Sequence, residues 1–150
     1  MAIKEQLRSD LTEAIRSRDE LTSGTIRMLL SAITNEEVSG KTARELSDAE
    51  VITVLSREVK KRREAAEAFD LGGRPEKATL ERAEGEVITK YLPTQLSAEE
   101  LQTLITEAIA ETGASGPAGM GLVMKVLAPK IAGKADGGTV SAAVKAALAN

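Results

Sequence analysis

Apolar residues recur at spacings of three and four along most of this chain, while the strict alternation of a half-buried strand is almost absent. A period near 3.6 residues is typical of an amphipathic helix. Residues 20–38 carry apolar side chains around an especially wide arc, which predicts a helix buried on more than one side. The chain is therefore predicted to be all-α. The stripe of its first helix, residues 2–18, consists of Ile3, Leu7, Leu11, Ala14 and Ile15.

Capping and helix-breaking residues predict where the other helices begin and end. Ser47 and Ser97 are each followed three residues later by Glu, the spacing of a capping box. Glycines stop helices, and Pro75 suits the first turn of the next one. Further helices are predicted between Ser47 and Gly72, from Pro75 to Leu92, and over 98–112, 117–129 and 137–149. The fourth helix presents an apolar face made of Leu80, Ala83, Val87, Ile88 and Tyr91.

A change in composition divides the chain near Pro93. Residues 1–95 hold 16 basic and 18 acidic side chains, whereas residues 96–150 hold only 4 and 5 and are rich in Ala and Gly. Such a shift, next to a proline and a new capping box, is typical of a boundary between domains. We predict a four-helix N-terminal domain, residues 1–93, and a small three-helix C-terminal domain, residues 96–150.

The composition excludes several kinds of chemistry. The chain has no Cys and no His, so disulfides, thiol nucleophiles, structural zinc sites and His-dependent catalysis are excluded. No apolar run approaches the ~18 residues of a membrane span. The first residues include the charged Lys4 and Glu5 and lack the apolar core of a signal peptide. We expect a cytosolic protein with no cofactor, no metal, no membrane contact and no DNA partner.

The densest basic run covers residues 57–63. On a helix, Arg57, Lys60 and Lys61 point away from the apolar stripe. Two interpretations stay open: a solvated face paired with Glu64 and Glu67, or a phosphate-binding patch. Arg62 falls within the stripe, one turn after Glu58, which predicts a partly buried ion pair.

A second basic feature lies near the end of the chain, where residues 113–150 hold four basic side chains and one acidic side chain, Asp136. These side chains could contact phosphates, or they could be scattered surface residues. The nearby glycines at 116–121 resemble a phosphate loop, but no strand is predicted before them, and Gly133-Lys134 lacks both the spacing and the following Ser or Thr of that motif. The four candidate nucleic-acid-binding residues are Lys125, Lys130, Lys134 and Lys145.

Several blocks together resemble the GatB/YqeY family, specifically YqeY-like proteins. The first is Ile26-Arg-Met-Leu-Leu-Ser-Ala-Ile33 with Asn35-Glu-Glu37, and the second is the run from Arg57 to Glu64. The others are Tyr91-Leu-Pro-Thr-Gln-Leu96 and the tail from Met120 to Gly137. The match extends over essentially the whole chain. One departure is Gly24, where the family usually has a larger residue.

The resemblance implies an all-helical two-domain protein. Its C-terminal part is similar to the tail of the B subunit of glutamine-dependent Asp/Glu-tRNA amidotransferase, where the tail helps to hold the tRNA and the chemistry lies elsewhere. This implies a non-catalytic protein that binds tRNA or another structured RNA, with an amidotransferase or tRNA-handling complex as a partner. Two alternatives stay open. One is an accessory component of a carbon–nitrogen ligase with glutamine as amido-nitrogen donor, and the other is a protein–protein adaptor.

Overall fold

The computed structural model describes residues 2–149, and this part of the chain is all-α, as predicted. It has no strand, and a short 3-10 helix at Pro117–Gly119 precedes the sixth α-helix. The α-helices are α1 (Ile3–Arg16), α2 (Glu20–Glu37), α3 (Asp48–Leu71), α4 (Pro75–Thr89), α5 (Ala98–Thr112), α6 (Met120–Ile131) and α7 (Gly137–Leu148).

The chain divides into two compact units, an N-terminal unit of residues 1–92 and a C-terminal unit of residues 93–150. Helices α1–α4 belong to the first and α5–α7 to the second. Whether these units are separable domains with the boundaries 1–93 and 96–150 stays a prediction, and limited proteolysis can test it.

The N-terminal unit has one apolar core to which α1–α4 all contribute. Asp19 caps α2 by accepting a hydrogen bond from the amide of Thr22, and the predicted capping box of Ser47 and Glu50 starts α3. Both devices satisfy amides that a helix start leaves without partners. The buried centre consists of Leu7, Ile26, Leu29, Ile33, Val51, Val54, Leu55 and Ile88.

Two residues expected on apolar faces are instead half-exposed: Ile15 at 50% and Leu80 at 53%. Near Leu80, α4 buries the small residue Ala78, while the facing helix α3 buries Ala66. A contact between small residues buries only a narrow strip of the helix surface, and Leu80 lies outside the buried strip of α4. On α2 the buried arc is wide, but Met28 lies beyond it and is 43% exposed.

The C-terminal unit packs α5, α6 and α7 around a second core that includes Ile105, Leu127 and Val144. Helix α5 runs over the predicted residues, begins at the Ser97 capping box and ends at Gly113, which has a φ of 66°. Left-handed backbone of this kind favours Gly. Helix α6 continues through Pro129 to Ile131, two residues beyond the predicted end.

Candidate nucleic-acid interface

The four C-terminal lysines all have exposed side chains, but they lie on three different segments. Lys125 and Lys130 are on α6, Lys134 is in the turn that follows, and Lys145 is in the last turn of α7. Lys125 and Lys130 are five positions apart, so they point about 140° apart around the helix axis. The lysines are therefore spread over the basic half of the unit and do not form a compact cluster.

Acidic and basic side chains are separated along the C-terminal unit. Helix α5 carries Glu99, Glu100, Glu107 and Glu111, and no Lys or Arg occurs between Lys90 and Lys125. The remaining acidic residue, Asp136, accepts hydrogen bonds from the amide and hydroxyl of Thr139 at the start of α7. An ion pair between Lys130 and Glu111 joins the two halves across 4.0 Å. The unit therefore has a negative α5 and a positive α6–α7.

The turn that carries Lys134 is fixed by residues just before α5. The side-chain amide of Gln95 donates a hydrogen bond to the carbonyl of Gly133 over 2.8 Å. The amide of Leu96 donates to the carbonyl of Lys134 over 2.9 Å. Gly133 has a φ of 72°, which a residue with a side chain rarely adopts. Gln95 and Leu96 thus position the backbone of Lys134, while the Lys134 side chain stays exposed.

The basic run at 57–63 lies on α3, and its members Arg57, Lys60 and Lys61 are exposed as predicted. The ion-pair partners of two of them differ from those expected, Glu64 and Glu67. Arg57 contacts Glu36 on α2 at 3.5 Å, and Lys61 contacts Glu58 at 3.1 Å. Helix α2 therefore supplies one of the counter-charges, which a helical wheel of α3 alone does not include.

Arg62 is buried in the N-terminal unit, and its predicted ion pair with Glu58 is confirmed. Its side chain is 7% exposed and lies 2.8 Å from Glu58. A second carboxylate, Glu84 on α4, accepts from Nε at 3.1 Å, and the sulfur of Met28 on α2 lies 3.4 Å from Nη2. Burial opposes ionisation of Glu58, but hydrogen bonds from Arg62 and Lys61 hold its pKa below the usual value. Arg62 therefore links three helices.

Comparison with known proteins identifies the family. A family model described as "Yqey-like protein" matches residues 4–148. The chain belongs to the YqeY-like family. This confirms the resemblance found in the sequence blocks. The family description names no reaction and no ligand.

Three fungal relatives of this YqeY-like chain carry the name "Altered inheritance of mitochondria protein 41, mitochondrial". The proteins of Candida glabrata and Clavispora lusitaniae are each 32% identical to it, over 114 and 116 residues, or 74% and 76% of this chain. That of Lachancea thermotolerans is 30% identical over 114 residues, or 74% of this chain. The matches cover 62%, 66% and 60% of the relatives' own lengths, less than two thirds in each case.

The names of these relatives contradict one expectation from the sequence. A cytosolic address was expected because the first residues lack an apolar signal core. The prediction is wrong, because all three relatives are named as mitochondrial proteins. A secretory signal is not the only kind of targeting segment, so the early charges Lys4 and Glu5 do not indicate a compartment.

Residues 2–149 of this YqeY-like chain lack two kinds of site. No group of three or more Asp or Glu residues in this range is placed to hold a metal ion. No helix in the same range is both long and apolar enough to cross a bilayer.

Proposed function

We propose that this YqeY-like protein is a non-catalytic RNA-binding protein whose C-terminal unit contacts the phosphates of folded tRNA. The proposed contacts are Lys125, Lys130, Lys134 and Lys145. The observation that carries the proposal is the separation of charge between acidic α5 and basic α6–α7. Exposed lysines attract a polyanion, and the acidic helix repels it. The separation thereby favours one orientation of the RNA on the unit.

The residues of the C-terminal unit favour recognition of shape over recognition of bases. The only aromatic residues of the chain, Phe69 and Tyr91, both precede residue 93. Single-stranded RNA is usually bound by stacking its bases on aromatic or Arg side chains. A unit with four lysines and no aromatic residue suits the ribose-phosphate backbone of a folded RNA. We therefore propose tRNA, which the resemblance to an amidotransferase tail implies, as the ligand class.

The basic run of α3 is left out of the proposed interface. Arg57 and Lys61 already contact the carboxylates of Glu36 and Glu58 at 3.5 and 3.1 Å, closer than the 4.0 Å between Lys130 and Glu111. A phosphate would have to compete with these ion pairs. This favours the interpretation of residues 57–61 as a solvated face.

The proposal is tested by measuring tRNA binding at low salt with the wild-type full chain, one quadruple variant and one triple variant. One variant changes all four C-terminal lysines to Ala, and the matched control changes Arg57, Lys60 and Lys61 to Ala. We expect the first variant to lose binding and the control to bind nearly as the wild type does. Circular dichroism checks that both remain helical. Equal losses in both variants would contradict the assignment to the C-terminal lysines, and no binding by any of the proteins would favour the adaptor function.

A further inference from the structure

The guanidinium of Arg62 has strong partners on two of its nitrogens and a weak partner on the third. Nε donates to Glu84 at 3.1 Å, and Nη1 donates to the carboxylate and the carbonyl of Glu58 at 2.8 and 3.1 Å. Nη2 donates to the sulfur of Met28 at 3.4 Å. A thioether is a weak acceptor, whereas a guanidinium is charged and each of its terminal nitrogens carries two N–H groups. The hydrogen-bonding capacity of Nη2 is therefore poorly used.

Met28 and Arg62 differ sharply in their access to solvent. The Arg62 side chain is 7% exposed, so water cannot readily replace the missing acceptor at Nη2. Met28 lies outside the buried arc of α2 and is 43% exposed. A small solute can therefore reach Met28, and the sulfur of Met28 contacts the buried guanidinium of Arg62. This arrangement brings together a group that can be oxidised and a donor that would bind the product.

We propose that Met28 is a site of oxidation by hydroperoxides and that Arg62 holds the resulting sulfoxide. The thioether sulfur attacks one oxygen of hydrogen peroxide, a sulfur–oxygen bond forms and the oxygen–oxygen bond breaks. The sulfur is oxidised by two electrons, and the other peroxide oxygen, with both protons, leaves as water. The sulfoxide oxygen is a strong acceptor and takes the place of the thioether as the partner of Nη2.

The proposal predicts an unusual effect of oxidation on stability. Methionine sulfoxide is polar and usually disrupts the apolar packing around it. At Met28 the new oxygen instead meets a buried charged donor, and hydrogen bonds to charged groups are stronger than neutral ones. Oxidation at this site should therefore leave the N-terminal unit at least as stable as before. Met120 and Met124 are partly buried against the C-terminal core and provide an internal comparison.

The experiment treats the full chain with dilute hydrogen peroxide and maps oxidation by peptide mass spectrometry. Trypsin releases residues 28–41 as one peptide in which Met28 is the sole methionine, whereas Met120 and Met124 share a peptide and are distinguished by fragmentation. We expect Met28 to be oxidised several-fold faster than Met120 and Met124. Equal or slower oxidation of Met28 would overturn the proposal.

Thermal unfolding of the same samples tests the role of Arg62. The fluorescence of Tyr91, the single Tyr of a chain without Trp, reports on the N-terminal unit that contains it. The Tm of the Met28-oxidised protein should equal or exceed that of the reduced protein. Met28→Leu is the control, since its Tm should not change with peroxide, and Met28→Gln, which offers an amide oxygen, should unfold at a higher temperature than Met28→Leu. A lower Tm on oxidation of the wild type, with no change in Met28→Leu, would show that the sulfoxide disrupts packing and would overturn the proposal. A Tm for Met28→Gln at or below that of Met28→Leu would also overturn it.

Discussion

The hydroxyl of Tyr91 donates a hydrogen bond to the carboxylate of Asp10 over 2.5 Å, although the two residues are 81 positions apart in the chain. The bond ties the segment after α4 to the middle of α1 within the N-terminal unit. Both side chains are partly buried. Burial, together with the hydrogen bond and the negative charge of Asp10, raises the pKa of Tyr91 well above its ordinary value of 10.0. This contact closes the N-terminal unit just before the chain enters the next one.

We predict that Tyr91 ionises only at a pH well above 10 while the protein is folded. Because the chain has one Tyr and no Trp, the ultraviolet absorbance of tyrosinate measures this group alone. Asp10→Asn removes the charge and should move the titration to lower pH. A raised folded pKa means that the associated stability is fully present below pH 10 and is lost as the pH rises through the folded pKa. Titration of the folded wild type near pH 10, with no shift in Asp10→Asn, would contradict this assignment.

We predict that Arg62→Ala destabilises the N-terminal unit far more than Arg57→Ala. The change at Arg62 leaves Glu58 and Glu84 as partly buried carboxylates without their partner, which can cost about 3–5 kcal/mol. Arg57 is exposed and its ion pair spans 3.5 Å, so its loss should cost no more than about 0.5 kcal/mol. Denaturant unfolding followed by Tyr91 fluorescence measures both. Equal midpoints would remove the structural role assigned to Arg62.

Two nearby glycines of the C-terminal unit should respond oppositely to the same substitution. A Cβ on Gly119 would lie 2.7 Å from the Cβ of Ala114, so Gly119→Ala should cost about 1–3 kcal/mol through overpacking. A Cβ on Gly121 would meet nothing within 4 Å, and Gly121→Ala in α6 should gain up to about 1 kcal/mol from helix propensity. Thermal unfolding by circular dichroism distinguishes them. Similar effects of the two changes would contradict the close contact at Gly119.

The segment between α4 and α5 should be a site of early cleavage in limited proteolysis. It contains no helix, and Thr94 and Gln95 are exposed. A broad-specificity protease at low concentration should yield two fragments that end and begin near residues 90–97, which mass spectrometry identifies. Uniform resistance across this segment would mean that residues 1–93 and 96–150 are not separable domains.

The sequence predicted the helices well because their ends depend on local chemistry. Ser47 and Ser97 act within four residues of themselves, and Gly113 ends α5 through its own φ. Contacts between helices were predicted less well. The pair of Arg62 and Glu58 lies within one turn of α3 and was found, whereas Glu84 and Met28 are 22 and 34 residues from Arg62. A helical wheel describes one helix and contains no information about which neighbour faces it.

The candidate interface was found only as a count of charges. The sequence shows four lysines after residue 113. The hydrogen bond from Gln95 to Gly133 joins residues 38 positions apart and is visible only in the fold. The same limit explains Ile15 and Leu80. Their apolar character predicts burial, while the position of the neighbouring helices leaves both half-exposed.

The salt dependence of tRNA binding measures how many phosphates the four C-terminal lysines contact. Four lysines can neutralise at most about four phosphates, so the logarithm of the binding constant should fall against that of salt concentration with a slope no steeper than about −3.6, by the duplex relation. Single changes such as Lys125→Ala or Lys134→Ala should each make the slope shallower by about 1 and weaken binding to different tRNAs by similar factors. The variant with all four lysines changed to Ala should show almost no salt-dependent binding. Equal slopes and affinities for this variant and the wild type, or no binding by the wild type at low salt, would contradict the account.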